Sequence, residues 1–356
     1  MSERRNDTDN LQGRTIYFDF LRVMATFAVV VLHVSAQKYY AVEVETWEWQ
    51  IFNVYDSIVR WAVPIFVMIS GALFLNGNHS IEKIYKKSIA RIVLAFVFWS
   101  MIYTAVSMAV THLRGKQALK EFLLGHYHMW FLFMIVGLYM IVPLLKQIVS
   151  SMELVKYFLL LSLVFAFVIP QTIAVVSLKF PGVGSLANNM IGKMAFHFTL
   201  GYAGYFIAGY YLSKIELSKR MKGIIYFLGL CGLLLTIVST SILSASQKKA
   251  DVMFYGNLTV NTLVESIAVF VLAKDLFSGR IVRDKIKDVL GVLSKYSFGA
   301  YLIHALVLEE LGRLFGLHTL SFFPVVSVPV ISIIVFVVSF VLSGILNHIP
   351  FIKNVV

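Results

Sequence analysis

The sequence is short of charge. Only 14% of its 356 residues are Asp, Glu, Lys or Arg, while 59% are hydrophobic. Soluble domains average about a quarter charged and about 45–50% apolar, so a soluble globular chain is excluded and a polytopic membrane protein is left. Cysteine is nearly absent as well. The one cysteine, Cys231, sits in an apolar run. It has no partner for an intrachain disulfide, and no Cys/His spacing resembles a zinc site, so no metal is expected. Acidic residues are the scarcer sign, 19 against 31 basic, for a net charge of +12. That excess does not point to nucleic acid, because the basic residues lie in short connections between apolar spans and not on an aromatic-studded soluble face.

What the chain does have is long apolar runs. The first, Arg14 to Gln37, follows a polar tail (residues 1–13) too short to be a domain. It is long, contains Asp19 and Arg22, and ends without a small-x-small cleavage site, so it reads as a retained helix and not as a signal peptide. Nine further spans are predicted at 51–76, 88–110, 129–149, 157–177, 196–213, 223–244, 258–276, 296–314 and 324–347. The expectation is an all-α polytopic membrane protein of about ten transmembrane helices, with residues 14–356 forming one membrane-embedded domain.

An even number of spans puts both termini on one side, and the basic residues choose the side. Of 31 Lys and Arg, twenty fall on the face bearing the termini, nine on the other, and Arg22 and Arg60 lie inside spans. Cytoplasmic loops retain the positive excess, so both termini are expected in the cytoplasm.

The first span carries Asp19, Arg22 and His33 on one helical stripe, since Arg22 follows Asp19 by about one turn and His33 follows Arg22 by about three. A charge near the bilayer middle costs at least ~2.5 kcal/mol, so this stripe must face protein or water. A structural ion pair beside a satisfied histidine is the plain alternative, but three ionisable groups on one face favour a site. Arg22 lies nearer the cytoplasm and His33 nearer the outer surface, about 16 Å apart along the helix.

The pattern Arg14, Asp19, Arg22, His33 resembles the opening helix of the membrane acyltransferase-3 family, whose members O-acylate surface polysaccharides and other envelope glycans. Four later stretches fit the same family in its order: PIFVMISGALFL (Pro64 to Leu75), KKSIARIVLAFVFW (Lys86 to Trp99), HMWFL (His128 to Leu132) and KYSFGAYLIH (Lys295 to His304). The resemblance therefore runs along nearly the whole chain. It implies a donor acyl-CoA, with acetyl-CoA expected, although the family also includes succinyl and longer donors.

A site follows from joining the resemblance to the residues. His33 is the natural general base, because imidazole titrates near neutrality and can take the proton of an acceptor hydroxyl; a covalent acyl-histidine stays open. Asp19 pairs with Arg22 and keeps the guanidinium aimed. Arg22, Lys87 and Arg91 form a basic cytoplasmic mouth for the phosphates of coenzyme A. Many family members carry an Arg-x-Arg pair there, whereas Lys87 and Arg91 are four apart in this chain. The resemblance adds Ser70 and Gly71 as a close backbone approach for the acyl arm, beside their ordinary use in helix packing. On the acceptor side it adds His128 and Trp130.

Arg60 is either buried in an ion pair with Asp56 or part of the acceptor pocket. Tyr301, His304, Glu309 and Glu310 supply the polar and aromatic groups that a saccharide site needs. For Glu309 or Glu310 to orient His33, the first and ninth spans must touch. His112, His126 and His128 tempt a metal reading, but no carboxylate or cysteine completes a ligand set.

The function expected is O-acyl transfer from cytoplasmic acyl-CoA to a hydroxyl of an envelope glycan or lipid-linked saccharide, in the plasma membrane, with membrane lipid as its surroundings. The same stripe would also serve a glycan exporter or lipid-linked saccharide transporter. A third reading is a membrane partner or sensing module without catalysis.

Overall fold

The computed structural model describes residues 16–77, 79–193, 197–277, 282–350 and 352–356. Residues 1–13, expected to be a tail, lie outside it. The described residues form helices and no strands. Apolar runs of this length have no other way to satisfy their backbone in lipid short of a closed barrel.

Helix α1 spans Ile16–Ala36. It is the centre of the bundle, with Leu21, Ala25 and Val34 fully buried. The second expected span, 51–76, is two helices, α2 (Trp47–Ile58) and α3 (Ala62–Asn76), separated by a turn at residues 59–61. Thr46 caps α2, its side chain accepting the Trp49 N–H at 3.3 Å. The break has a local cause. Pro64 offers no N–H to the carbonyl of Arg60, and proline is best accommodated in a helix's first turn, which is where α3 places it. Arg60 is thereby left at the discontinuity.

The third span begins in a π-helical segment, Ile84–Ile89, which carries Lys86 and Lys87 and feeds into α4 (Ala90–Thr111). A short helix, α5 (Lys116–Leu124), and a 3-10 turn at Tyr127–Met129 lead to α6 (Trp130–Ile148). The next span is α7 (Met152–Ser162), a second π segment at Leu163–Val168 and α8 (Ile169–Lys179), followed by α9 (Pro181–Lys193).

The remaining helices are α10 (His197–Lys214), α11 (Lys219–Gln247), α12 (Val260–Phe277), α13 (Asp284–Phe315) and α14 (Pro324–Leu346). Among the described residues nine helical stretches are long and apolar enough to cross a membrane. The sixth expected span, 196–213, corresponds to α10, which is not among the nine. It is rich in glycine and tyrosine, and its backbone leaves the helical region at Gly201.

α1 packs against α13, α3 and α14, so the first and ninth expected spans do touch. α3 and α10 cross at backbone contact. A Cβ on Gly71 would lie 1.8 Å from the Phe206 carbonyl oxygen, and one on Gly209 would lie 2.0 Å from that of Met68. Without a hydrophobic drive between helices in lipid, such small-residue crossings are how spans gain packing contact. The outward side chains, Leu94, Met101, Phe133, Leu144 and Ile333 among them, are apolar and exposed, as a lipid-facing belt requires.

Candidate functional site

α1 and α13 run side by side in the same direction, and two contacts fix their register. At the end nearer the N-terminus of α1, Arg22 Nη1 donates to Ser294 Oγ at 3.2 Å and lies 3.5 Å from Asp19 Oδ1. The expected Asp19–Arg22 pair is therefore present. Asp19 is buried, while Arg22 keeps about a third of its side chain accessible, so one charge is held by the other yet can still meet a ligand. Eleven residues further along α1, His33 stacks on His304 of α13, with ring centroids 5.1 Å apart and planes within 29°.

Tyr139 links the surroundings of Arg22 to those of Arg91. Tyr139 of α6 stands beside the Ser70 side chain and within electrostatic reach of both Arg22 and Arg91. It stacks on Phe74 at 4.1 Å. Arg91 donates through Nη2 to the Val356 carbonyl at 2.9 Å and lies over the Phe298 ring, 5.5 Å from its centroid. Trp99 Nε1 donates to the Val355 carbonyl at 3.1 Å. Residues 355 and 356 are thus bound onto the flank of α4 beside Arg91, which the sequence did not signal. Lys87 is exposed on the π segment. Gly71 is spent on the crossing with Phe206, so the packing role holds for it and its free face is not open to an acyl arm.

Around His33 the helices collect an aromatic and imidazole cluster. Tyr127 lies 5.1 Å away edge-on, His128 lies 6.5 Å away, and His128 and His304 are 5.0 Å apart. His304 Nδ1 is 2.5 Å from the Tyr301 carbonyl. Since a carbonyl only accepts, that nitrogen carries the proton and the other, Nε2, is bare. His304 and His128 are buried, and Nε2 of each has no hydrogen-bond partner among the described residues. His33 itself is half-buried.

Tyr103, which nothing in the sequence marks, and His126 hold this cluster in shape. Tyr103 of α4 donates its hydroxyl to the Leu302 carbonyl at 2.8 Å and accepts the Leu306 N–H at 3.1 Å. Those are the two ends of one i, i+4 rung of α13, so the phenol inserts at the helical turn that carries His304. The same ring stacks on His126 at 4.2 Å. His126 in turn lies 3.0 Å from Glu309 through Nε2 and 3.0 Å from His128 Nδ1 through Nδ1. His126 was legible in the triplet His126-Tyr127-His128, where no metal is expected, but its hydrogen-bond partners were not. Among the described residues no group of three or more His, Cys, Asp or Glu side chains is arranged to hold a metal ion.

Several expected roles are redrawn by these contacts. Glu309 reaches His126 and not His33, and Glu310 binds Arg313 through two contacts of 3.0 and 3.1 Å to its Nε. Tyr301 donates its hydroxyl to the His128 carbonyl at 2.5 Å, so it braces the cluster instead of offering that group to a saccharide. Trp130 keeps 39% of its surface exposed and meets Phe131 and Tyr202, away from the imidazoles.

Arg60 pairs with Asp56, donates to the Tyr255 carbonyl at 3.1 Å and lies 3.8 Å over the Tyr255 ring. Its ion pair is formed, and it remains within electrostatic reach of His33. Glu265, buried in α12, accepts from Thr236 Oγ1 at 2.9 Å.

A family model described as an acyltransferase domain, that of acyltransferase-3, matches residues 15–348. No curated protein and no solved structure matches the chain.

Proposed function

Since the chain belongs to the acyltransferase-3 family, we propose that it is a plasma-membrane O-acyltransferase that carries an acetyl group from cytoplasmic acetyl-CoA to a hydroxyl of a cell-envelope glycan or lipid-linked saccharide. The observation that carries this reading is the pairing of two ends on one helix pair. Arg22 meets Ser294 where α1 and α13 are basic, and His33 meets His304 eleven residues along α1. That separation, about 16 Å of helix, suits a phosphate-bearing head at one end and the thioester of an extended arm at the other.

In the reaction, His33 takes the proton of the acceptor hydroxyl as its oxygen attacks the thioester carbonyl. The new C–O bond forms, the C–S bond breaks, and the leaving thiolate takes the proton from the imidazolium, so proton and electrons balance. Arg22, Lys87 and Arg91 hold the donor phosphates, with both termini in the cytoplasm. Arg gives a bidentate fork and Lys a mobile point charge. Arg60, His128 and His304 face the acceptor side.

The break between α2 and α3 favours a second reading, because discontinuous spans line substrate paths in transporters. A glycan exporter would move its cargo without consuming a thioester. The deciding assay supplies labelled acetyl-CoA to vesicles containing the protein and an envelope glycan fraction. Wild type is expected to transfer label, and His33→Ala is expected to lose at least ~10²-fold in rate while still binding coenzyme A. Near-wild-type transfer by that variant moves the base elsewhere, and glycan movement without thioester consumption by wild type replaces the enzyme with the exporter.

A further inference from the structure

The cluster contains a chain of hydrogen bonds whose proton positions are fixed from one end. Glu309 carries a carboxylate, which accepts only, so the 3.0 Å contact with His126 requires a proton on His126 Nε2. In the neutral imidazole the other nitrogen, Nδ1, is then a bare acceptor. It lies 3.0 Å from His128 Nδ1, and a contact between two ring nitrogens needs one proton between them. With His126 neutral, His128 supplies it, and the Leu302 carbonyl that also faces the His128 ring can only accept as well. His128 therefore carries its proton on Nδ1 and leaves Nε2 bare, inside the protein, with no partner among the described residues. The stack of Tyr103 on His126 and the bond from Tyr301 to the His128 carbonyl keep both rings in place.

We infer that Glu309 and His126 are positioning residues that set the tautomer of His128, so that its Nε2 accepts a hydrogen bond from a hydroxyl of the acyl acceptor beside the one His33 deprotonates. The inference rests on the acyl-transfer reading above. Two features assign the bond to the acceptor and not to the donor. His128 belongs to the His33 end of α1, and the phosphate-type groups lie at the Arg22 end. A bare, buried imidazole nitrogen also selects an O–H donor, which an alcohol has and a thioester lacks. The His33 and His128 ring centroids are 6.5 Å apart, a separation that two neighbouring hydroxyls of one acceptor can span.

The arrangement differs from a simple structural ion pair in what it does to His128. If His126 loses its acceptor nitrogen, Nδ1 of His128 loses the partner that held its proton there. The proton is then free to reside on Nε2, the atom that must stay bare. His126→Phe does this while preserving a ring to stack on Tyr103. His126→Asn replaces the lost nitrogen with an amide oxygen at the Nδ1 position, and so returns an acceptor to His128.

The test uses the full chain in lipid nanodiscs with histidine labelled by nitrogen-15, the His128 resonances being assigned by their disappearance in His128→Gln. Wild type should show His128 with a proton on Nδ1 and a bare Nε2. His126→Phe should move the proton to Nε2, and His126→Asn should return it. In acetyl transfer from acetyl-CoA to the envelope glycan fraction, His126→Phe should raise the acceptor KM about tenfold or more, the worth of one hydrogen bond. Its KM for acetyl-CoA should stay within about twofold, and His126→Asn should recover most of the loss. A wild-type proton on His128 Nε2, or an unchanged tautomer in His126→Phe, overturns the relay. A shifted tautomer with an unchanged acceptor KM overturns the role in acceptor binding. If wild type transfers no acyl group, the function proposed above fails, and the tautomer measurement still decides the relay.

Discussion

Tyr103 occupies both ends of one backbone rung of α13, giving its proton to the Leu302 carbonyl and taking the proton of the Leu306 amide. His304 lies between those two residues, and His126 stacks on the phenol from the other side. One hydroxyl on α4 therefore fixes the helix that presents His304 and the ring that connects to Glu309. Buried polar networks of this kind give a single arrangement only when every member is satisfied.

Tyr103→Phe tests that coupling. The ring and its stack survive, but the hydroxyl's two backbone partners lose it, at a cost of about 1–3 kcal/mol. We expect a lower unfolding temperature in detergent and a reduced rate of acyl transfer. Unchanged stability and rate would show that α13 closes its own rung without the phenol.

Gly71→Ala tests the crossing of α3 and α10. A Cβ there meets the Phe206 carbonyl at 1.8 Å, and that atom is backbone, not the end of a mobile side chain. Relieving such an overlap costs about 1–3 kcal/mol or more. Reduced yield of folded protein is expected from size-exclusion chromatography, and Gly115→Ala, a surface control whose added Cβ meets no neighbour but sits at positive φ, should cost less.

Arginine replacements test how the donor is held. Arg22→Ala and Arg91→Ala should each weaken coenzyme A binding, measured by titration onto equal amounts of folded protein. Arg91→Lys restores binding only if charge suffices, because lysine cannot reproduce the guanidinium fork. Arg22→Ala also removes the guanidinium partner of the buried Asp19, so lost yield would imitate lost affinity. The Asp19→Asn, Arg22→Gln pair should recover yield without recovering affinity. Wild-type affinity in both arginine-to-alanine variants would move the phosphate site elsewhere.

Sidedness is tested by labelling. Single cysteines at positions 45 and 118 should react with an impermeant thiol reagent applied from outside, and one at 284 should not. The opposite pattern would reverse the orientation and place donor entry on the wrong side.

The sequence by itself determined the class and the family. Those depend on composition, run length and local spacing, and a helix brings residues three or four apart together without help from the rest of the chain. That is why Asp19 and Arg22 were correctly joined, and why His33 was placed on their stripe. Tertiary structure decided everything that needed two distant segments. Glu309 or Glu310 could orient His33 only if α1 and α13 touched; they do touch, yet the packing of the His126 turn against α13 gives Glu309 to His126. Gly71 read equally well as an acyl-arm approach or as a packing residue until Phe206, 135 positions away in the sequence, was seen to fill its free face. The break at residues 59–61 was concealed inside one apolar run, because hydropathy responds to side chains while the break arises from the missing N–H of Pro64. Tyr103 was invisible for the same physical reason as the relay: a buried hydroxyl or imidazole is defined by the partner that satisfies it, and that partner is chosen by the fold and not by sequence neighbours.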